Sequence, residues 1–259
     1  MKIAAWNVNS IRARQQRLMS WLSSFAPDVL CLQETKCTDA EFPALDLKTA
    51  GYDSVSYGQR SYNGVAIVSK WPLTDIVRGM DDDSEGQSRV IVATAGPVRV
   101  ISAYAPNGQA VDSPAFEYKL RWYERLRRYL DTRFDKNQPL VLCGDFNVAP
   151  EPRDVHDPRL WEGQTMFTLP EREALKHVVE FGLVDTFRKH HPEDGRFSWW
   201  DYRMLAFPKN RGLRIDHLYA TAPLAEKCTA ADVDREARKG SLPSDHAPVW
   251  AQFASGRSD

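Results

Sequence analysis

The chain has 259 residues, 42% of them hydrophobic and 11% aromatic, which is enough apolar material for one large core. Its formal net charge of −1 gives no global pull toward nucleic acid, so any such binding must come from a local basic face. The four cysteines (Cys31, Cys37, Cys143 and Cys228) contain no C-x-x-C pair, which argues against zinc and against a disulfide framework.

No stretch reads as a signal peptide, and no apolar run approaches the ~18 residues of a membrane span. A soluble, cytoplasmic protein with no membrane partner is the expectation.

Residues 3–6 form an apolar strand that ends at Asn7. Residues 14–25 place Leu18, Trp21, Leu22 and Phe25 at helical spacing, and Ala26-Pro27-Asp28 ends that helix. Residues 29–33 are a second strand, closed by Glu34. Asn63-Gly64 marks a turn before a strand at 65–68. Asp81-Asp82-Asp83 reads as a solvated loop tip. Residues 89–94 and 98–104 read as a hairpin, the second strand running through Tyr104 into Pro106-Asn107.

Residues 116–133 are a long helix with Phe116, Leu120, Tyr123, Leu126 and Leu130 on one face. Residues 140–144 are a strand ending at Asp145-Phe146-Asn147. A helix at 171–181 stops at Gly182. Residues 213–215 read as a strand ending at Asp216, and Ser244-Asp245-His246 precedes a strand beginning near Ala247. Strands alternating with helices, and no linker or repeat, predict one layered α/β domain at 1–254, followed by a short polar tail at 255–259.

The polar residues at these strand ends carry the chemistry. If the strands share a sheet edge, their carboxylates and amides converge on one volume, a hard oxygen set suited to Mg²⁺ or Mn²⁺. Glu34 at a buried strand end needs a metal, or else an ion pair with Lys36 or an arginine. Asp145 and Asn147 lie on one side of a strand exit, where the acid can activate water and the amide can hold an oxygen; the plainer reading is an Asx-turn. Asp216 could orient His246. In the aromatic run Trp199-Trp200-Asp201-Tyr202-Arg203, one indole faces in and one out; Trp200 is assigned to the core and Trp199 to the site. Arg12, Arg14 and Arg17, then Lys119, Arg121 and Arg125, then Lys209, Arg211 and Arg214 are the basic groups placed to reach phosphates; the plainer reading of each group is a solvated face.

Seven segments occur together in order: Trp6-Asn7-Val8-Asn9-Ser10-Ile11-Arg12, Leu32-Gln33-Glu34-Thr35-Lys36, Tyr62-Asn63-Gly64-Val65-Ala66, Tyr104-Ala105-Pro106-Asn107-Gly108, Gly144-Asp145-Phe146-Asn147, Gly212-Leu213-Arg214-Ile215-Asp216 and Ser244-Asp245-His246-Ala247-Pro248. In this the chain resembles the exonuclease III family of bacterial abasic-site endonucleases over nearly all its length. The resemblance implies a four-layer α/β sandwich with two packed mixed β-sheets and the site at one edge. It implies Mg²⁺- or Mn²⁺-dependent phosphodiester hydrolysis on double-stranded DNA with abasic sites or blocked 3′ ends, by a monomer. By matching position, Glu34 is the principal metal ligand, with Asn7 and Asp245 near it, and Asp145 and Asn147 could hold a second ion. Asp145 activates water, Asn147 supports the phosphoryl oxygens, Tyr104 assists at the phosphate or leaving group, and His246, oriented by Asp216, contacts the scissile phosphate. Asn107 and Lys119 match backbone-contact positions. Trp199, Leu213 and Ile215 match the pocket for an extruded sugar.

One departure bears on activity. Gln164 to Pro170 reads Gln-Thr-Met-Phe-Thr-Leu-Pro, where many family members resembling this chain have a smaller residue at Met166 or Phe167. A bulky rim there would favour 3′-phosphatase or 3′–5′ exonuclease action over abasic incision. Other readings are a lipid or inositol phosphatase or secreted nuclease on the same fold, or a DNA-binding member without catalysis. The intact set Glu34, Asp145, Asn147, Asp216, Asp245 and His246 argues against a dead member.

Overall fold

The computed structural model describes residues 1–81, 86–193 and 195–254. The polar tail at 255–259, and Asp82 and Asp83 of the acidic run, lie outside the described residues.

Twelve strands are named in chain order: β1 (Lys2–Asn7), β2 (Val29–Gln33), β3 (Asp53–Tyr57), β4 (Val65–Ser69), β5 (Leu73–Arg78), β6 (Val90–Ala95), β7 (Val98–Tyr104), β8 (Leu140–Asp145), β9 (Leu183–Asp185), β10 (Asp216–Thr221), β11 (Cys228–Val233) and β12 (Val249–Phe253). The helices are α1 (Ile11–Phe25), α2 (Ala44–Thr49), α3 (Pro114–Arg133), α4 (Pro158–Trp161), α5 (Leu169–Val179), α6 (Thr186–His190) and α7 (Ala222–Ala225). Among the described residues no helix is long and apolar enough to cross a membrane.

The strands form two six-stranded sheets, ordered β11-β12-β1-β2-β4-β3 and β5-β6-β7-β8-β10-β9. Side chains alternate across each strand, so each sheet has two apolar faces to bury. Ile3, Ala5, Cys31 and Ile67 of the first sheet meet Val100, Val141, Cys143 and Leu218 of the second between the sheets. The opposite faces pack outward onto helices. Ala4, Trp6, Leu30 and Leu32 meet Leu18, Trp21 and Leu22 of α1. Val92, Ile101 and Leu142 meet Trp122 and Leu126 of α3 and Leu175 of α5. The result is the four-layer sandwich that the family resemblance implies, within the layered α/β domain that the strand–helix alternation predicts. Cys31 and Cys143 sit in the inter-sheet core as free thiols, consistent with their apolar flanks.

The helix starts are encoded locally. Ser113 caps α3 by accepting from Phe116 N, with Pro114 in the first turn. Thr168 and Glu171 form a capping box on α5.

Strand direction gathers the polar residues. β1 runs parallel to β2, and β7 parallel to β8, so Asn7, Glu34, Tyr104 and Asp145 all leave the sheets at one edge. Gly144 lets β8 approach β7 there, since a Cβ would stand 2.0 Å from Ala103 O. Residues 213–215 are not a strand: β10 starts at Asp216 instead of a strand ending there. β10 is antiparallel to β8, with Asp216 opposite Asp145. The C-terminal edge of β8 is therefore the N-terminal edge of β10, and apolar composition alone does not distinguish the two. Leu213 forms isolated bridges with Val155 and Trp199, and Trp199 bridges His246.

Candidate active site

Asn7, at the end of β1, ties the two sheets together at the site. Its Nδ2 donates to Glu34 Oε1 at 2.8 Å and to Asp145 Oδ2 at 2.9 Å. Its Oδ1 accepts from Asn9 N at 3.0 Å. Asn7 therefore orients both carboxylates, while its own oxygen is already engaged. Glu34 has a left-handed backbone, φ 50°, which turns its carboxylate into the site. Lys36 Nζ stands 2.7 Å from Glu34 Oε2, so the plain ion-pair reading of Glu34 holds alongside any other role.

Asp145 is fully buried, and burial drives its pKa upward. The cationic His246 pulls it back and the Asp216 carboxylate pushes it further, giving about 7. His246 Nδ1 lies 2.8 Å from Asp216 Oδ2, and its Nε2 lies 3.7 Å from Asp145 Oδ2. Burial by itself would lower the imidazolium pKa; Asp216 and then Asp145 outweigh it and raise it to about 10. His246 is thus a proton donor at neutral pH, and Asp145 is an acid poised near neutrality. Ser198 Oγ donates to Asp216 Oδ2 at 2.6 Å and accepts from the backbone N–H groups of Ile215 and Asp216.

Tyr104 is nearly buried, and burial, then the neighbouring Glu34 and Asp145 carboxylates, raise its phenol well above its usual pKa. It therefore stays protonated. Asn147 also has a left-handed backbone, φ 51°. Its N–H donates to Asp145 Oδ1 at 2.8 Å, its Nδ2 donates to Ala105 O at 3.0 Å, and its Oδ1 accepts from Asn107 Nδ2 at 3.0 Å. Asn107 itself is exposed, on the solvent side of this chain of amides. Asp245 stands slightly apart, its oxygens taken by Asn9 Nδ2 at 3.0 Å and Trp199 Nε1 at 3.0 Å. His246 and the Asn9 and Trp199 bonds lower its pKa against the opposing effect of burial, which is the largest single influence.

Two basic residues read as phosphate contacts are placed elsewhere. Lys119 is fully buried, paired with Glu171, so its ammonium does not face a ligand. Arg214 is also buried; its Nε meets Asp154 at 2.6 Å and its Nη2 meets Asp185 at 2.9 Å. In both cases a carboxylate distant in sequence satisfies the charge inside the protein. Arg14 and Arg17 bind backbone carbonyls of Asn9, Pro243, Ala237 and Lys239. Arg12, Arg121, Lys209 and Arg211 are exposed.

Leu213, Ile215 and Phe167 form a buried apolar cluster with Ala149 and Val155, and Trp199, Trp161 and Met166 pack onto it half-buried. Trp200 is fully buried in a separate cluster, as predicted for the inward indole. Sequence reading missed Asn9, Ser198 and Trp161. Asn9 lies within the motif after β1, and its side chain links Lys36 to Asp245. Ser198 has no sequence signal beyond its place before the tryptophan pair. Trp161 stands edge-on to Trp199, ring centroids 6.5 Å apart, from a short helix that no pattern marked.

Residues 4–246 match the model of the Endonuclease/Exonuclease/phosphatase family. The chain belongs to that family. It is 36% identical to exodeoxyribonuclease III of Haemophilus influenzae, over 98% of this chain and all of the relative. It is 33% identical to the DNA repair nuclease APEX1 of Danio rerio, over 96% of this chain and 81% of the relative. Among solved structures, an AP endonuclease from Archaeoglobus fulgidus superposes with TM-score 0.96 at 41% identity, covering 98% of this chain and 100% of that one. A Neisseria 3′ phosphatase, NExo, bound to product DNA hairpin, superposes with TM-score 0.94 at 41% identity, with the same coverage. Membership, taken with the exodeoxyribonuclease relatives matched over nearly the whole chain, makes the protein a phosphodiester-hydrolysing nuclease.

In this family member, Glu34, Asp145 and His246 place one ligand atom each within 4.8 Å of one another. The carboxylate oxygens among them are hard donors that fit a divalent cation. A buried carboxylate whose pKa is raised by its surroundings also gains from a positive partner, so the donor set and its electrostatics fit a metal. His246, held as a cation by Asp216, fits a hydrogen-bond donor better than a ligand.

Proposed function

We propose that this protein is a DNA repair nuclease that uses Mg²⁺ or Mn²⁺ to hydrolyse phosphodiester bonds of duplex DNA at abasic sites and at blocked 3′ ends, working as a monomer. Glu34 would be the principal ligand, flanked by Asp145, with Asn7 holding both carboxylates and Asp245 adding negative charge beside them. The cation would supply neutralisation of charge on the phosphate oxygens.

The protein's own groups account for the rest. Asp145, with a pKa of about 7, can accept or align the proton of the attacking water. His246 can donate from Nε2 to a phosphoryl oxygen as charge grows there, and Asp216 keeps it protonated and oriented. The Tyr104 phenol can donate at the phosphate or leaving oxygen. Asn107 is exposed and can contact the DNA backbone, while Asn147 fixes Asp145. Hydrolysis of an internal phosphodiester would leave a 3′-OH and a 5′-phosphate, and hydrolysis of a terminal 3′-phosphate would leave a 3′-OH and free phosphate.

The observation that carries this reading is the fully buried Asp145 between Glu34 and the Asp216–His246 pair. The test is incubation with Mg²⁺ and two labelled duplexes, one with an internal abasic analogue and one with a recessed 3′-phosphate. Turnover of either, lost in Glu34→Ala, supports the reading. Turnover of neither, with Mn²⁺ also tried, overturns it.

Met166 favours a second, narrower reading within the first. It lies on the Trp199–Leu213–Ile215 wall with φ 78°, and its Sδ is 4.0 Å from Asn107 Nδ2. A side chain packed on that wall restricts the space for an extruded sugar, so 3′-end processing would exceed abasic incision. The likeness to NExo, described as a 3′ phosphatase, supports this reading; the equal identity to an AP endonuclease leaves both activities in view.

A further inference from the structure

Lys119 lies on the second turn of α3, completely buried. An ammonium has three N–H donors, and all three are used. Nζ donates to Asn147 O at 2.7 Å, to Asn107 O at 3.0 Å and to Glu171 Oε1 at 2.5 Å. Glu171 is buried as deeply. Its Oε1 also accepts from Met166 N at 2.9 Å, and its Oε2 accepts from Thr168 N and Oγ1.

One buried ion pair therefore joins three loops: the one after β7 through Asn107, the one after β8 through Asn147, and the rim loop through Met166. Asn107 and Asn147 are also joined to each other by their side chains, and Asn147 N–H holds Asp145. Packing around the stem is close, since a Cβ on Gly108 would come within 3.0 Å of Lys119 Cδ. A buried ion pair is costly to desolvate and is often no more stabilising than an apolar replacement of the same size. Stability alone is then a weak reason for it, whereas simultaneous bonds to the carbonyl of Asn147, which holds Asp145, and to that of Asn107, which holds Asn147, give it a positioning task.

We propose that Lys119 and Glu171 are positioning residues that hold the backbone at Asn147 and Asn107, and thereby Asp145, in register with the Met166 rim. The proposal rests on the nuclease reading of the site for its kinetic readout. Neither residue needs to touch substrate.

The test is the double variant Lys119→Met with Glu171→Gln, which removes both charges yet keeps a capping acceptor on α5. Thermal unfolding reports its fold, and turnover of the 3′-phosphate duplex is measured beside wild type. The expected result is a folded protein with a lowered midpoint, since two buried carbonyls lose their donor, and in the folded fraction kcat lower by about tenfold or more and KM within about twofold, the pattern for a lost positioning contact. The side-chain amide NMR signals of Asn107 and Asn147 should shift or broaden, which a simple loss of stability would not produce in the folded fraction. Wild-type kcat with unmoved amide signals in a folded double variant overturns the proposal. If the double variant does not fold, Lys119→Arg decides. It keeps the charge on Glu171, but its planar fork cannot reach both carbonyls, so undiminished kcat overturns the proposal. If wild type itself turns over neither duplex, the nuclease reading fails, and the amide signals still test the tie.

Discussion

His246 Nδ1 lies 2.8 Å from Asp216 Oδ2, and Asp216 is itself held by Ser198 Oγ and by two bonds that converge on that hydroxyl. The pair spans the two sheets: Asp216 opens β10 of one, and His246 precedes β12 of the other. The carboxylate fixes the ring so that Nε2 points toward Asp145.

Asp216→Asn should remove the main group that raises His246, so the imidazolium pKa should fall from about 10 toward or below neutrality under the pull of burial. A raised pKa means that the charged form is favoured in the folded protein. Its contribution to stability is full below the unfolded value near 6.5 and is lost as pH rises toward about 10. The alkaline limb of the pH–rate profile should therefore move to lower pH in the variant, with kcat down on the order of 10²-fold at neutral pH. An unmoved alkaline limb would refute the assignment of His246 as the donor.

Asp145 should titrate near 7 in the metal-free protein, visible as a side-chain carboxyl ¹³C shift. Added Mg²⁺ should lower that value, because a cation beside the carboxylate favours its charged form. In the metal-free state the raised pKa favours folding below about 3.8, and that contribution fades as pH rises through about 7. Asp145→Asn should lower kcat by roughly 10²–10⁴-fold, the range of a positioned general base. A carboxyl shift insensitive to Mg²⁺ would place the cation elsewhere.

Glu34→Ala should abolish metal-dependent turnover and weaken Mn²⁺ binding measured by electron paramagnetic resonance. It also releases Lys36, whose side chain remains bonded to Asn9 Oδ1 at 2.7 Å, so the fold should persist. Mn²⁺ affinity equal to wild type would remove Glu34 from the ligand set.

The strand ends were legible because each apolar run is short and stops abruptly at a polar residue, as at Asn7, Glu34 and Asp145. The two-sheet sandwich came from the family resemblance, since periodicity fixes no topology. Strand direction is not legible either: an apolar run before Asp216 and one after it look alike, and the structure makes a strand only of the second. Burial of charge was the other gap. Lys119 occupies a helix with several exposed arginines, and its interior position depends on Glu171, 52 residues away, together with the carbonyls of Asn107 and Asn147. Arg214 is concealed in the same way by Asp154 and Asp185. Pair partners of this kind depend on tertiary placement, which a single sequence does not print.

Arg214→Met should destabilise the protein by roughly 3 kcal/mol, measured by urea unfolding, because it removes one of the two guanidinium partners of the buried Asp154 and the buried partner of Asp185. Arg214 also donates to His217 Nδ1 at 3.1 Å, whose Nε2 contacts Val148 O at 2.9 Å. Burial first and Arg214 second push His217 down to about 4, so it is neutral in the folded protein. Losing Arg214 should let that pKa rise. A variant as stable as wild type would show that Arg188, which also pairs with Asp154, carries the network alone.

Met166→Gly should raise abasic incision relative to 3′-phosphate removal. Met166 packs on the wall formed by Leu213, Ile215 and Trp199, and a glycine there removes the side chain while accepting the positive φ of 78° at no steric cost. Its backbone N–H, which Glu171 holds, is retained in the variant, so the rim loop keeps its anchor. The change therefore tests the side chain alone. Removing the bulk should affect a substrate that enters the wall far more than one whose 3′ end stops at the phosphate. The expected outcome is a rise of about tenfold or more in the ratio of abasic to 3′-phosphate kcat/KM, equivalent to ~1.4 kcal/mol of differential binding in the transition state. The ratio is read from the two labelled duplexes under identical Mg²⁺, so changes in metal affinity cancel. An unchanged ratio would mean that Trp161 and Trp199, which meet edge-on beside Met166, set the width of the wall instead.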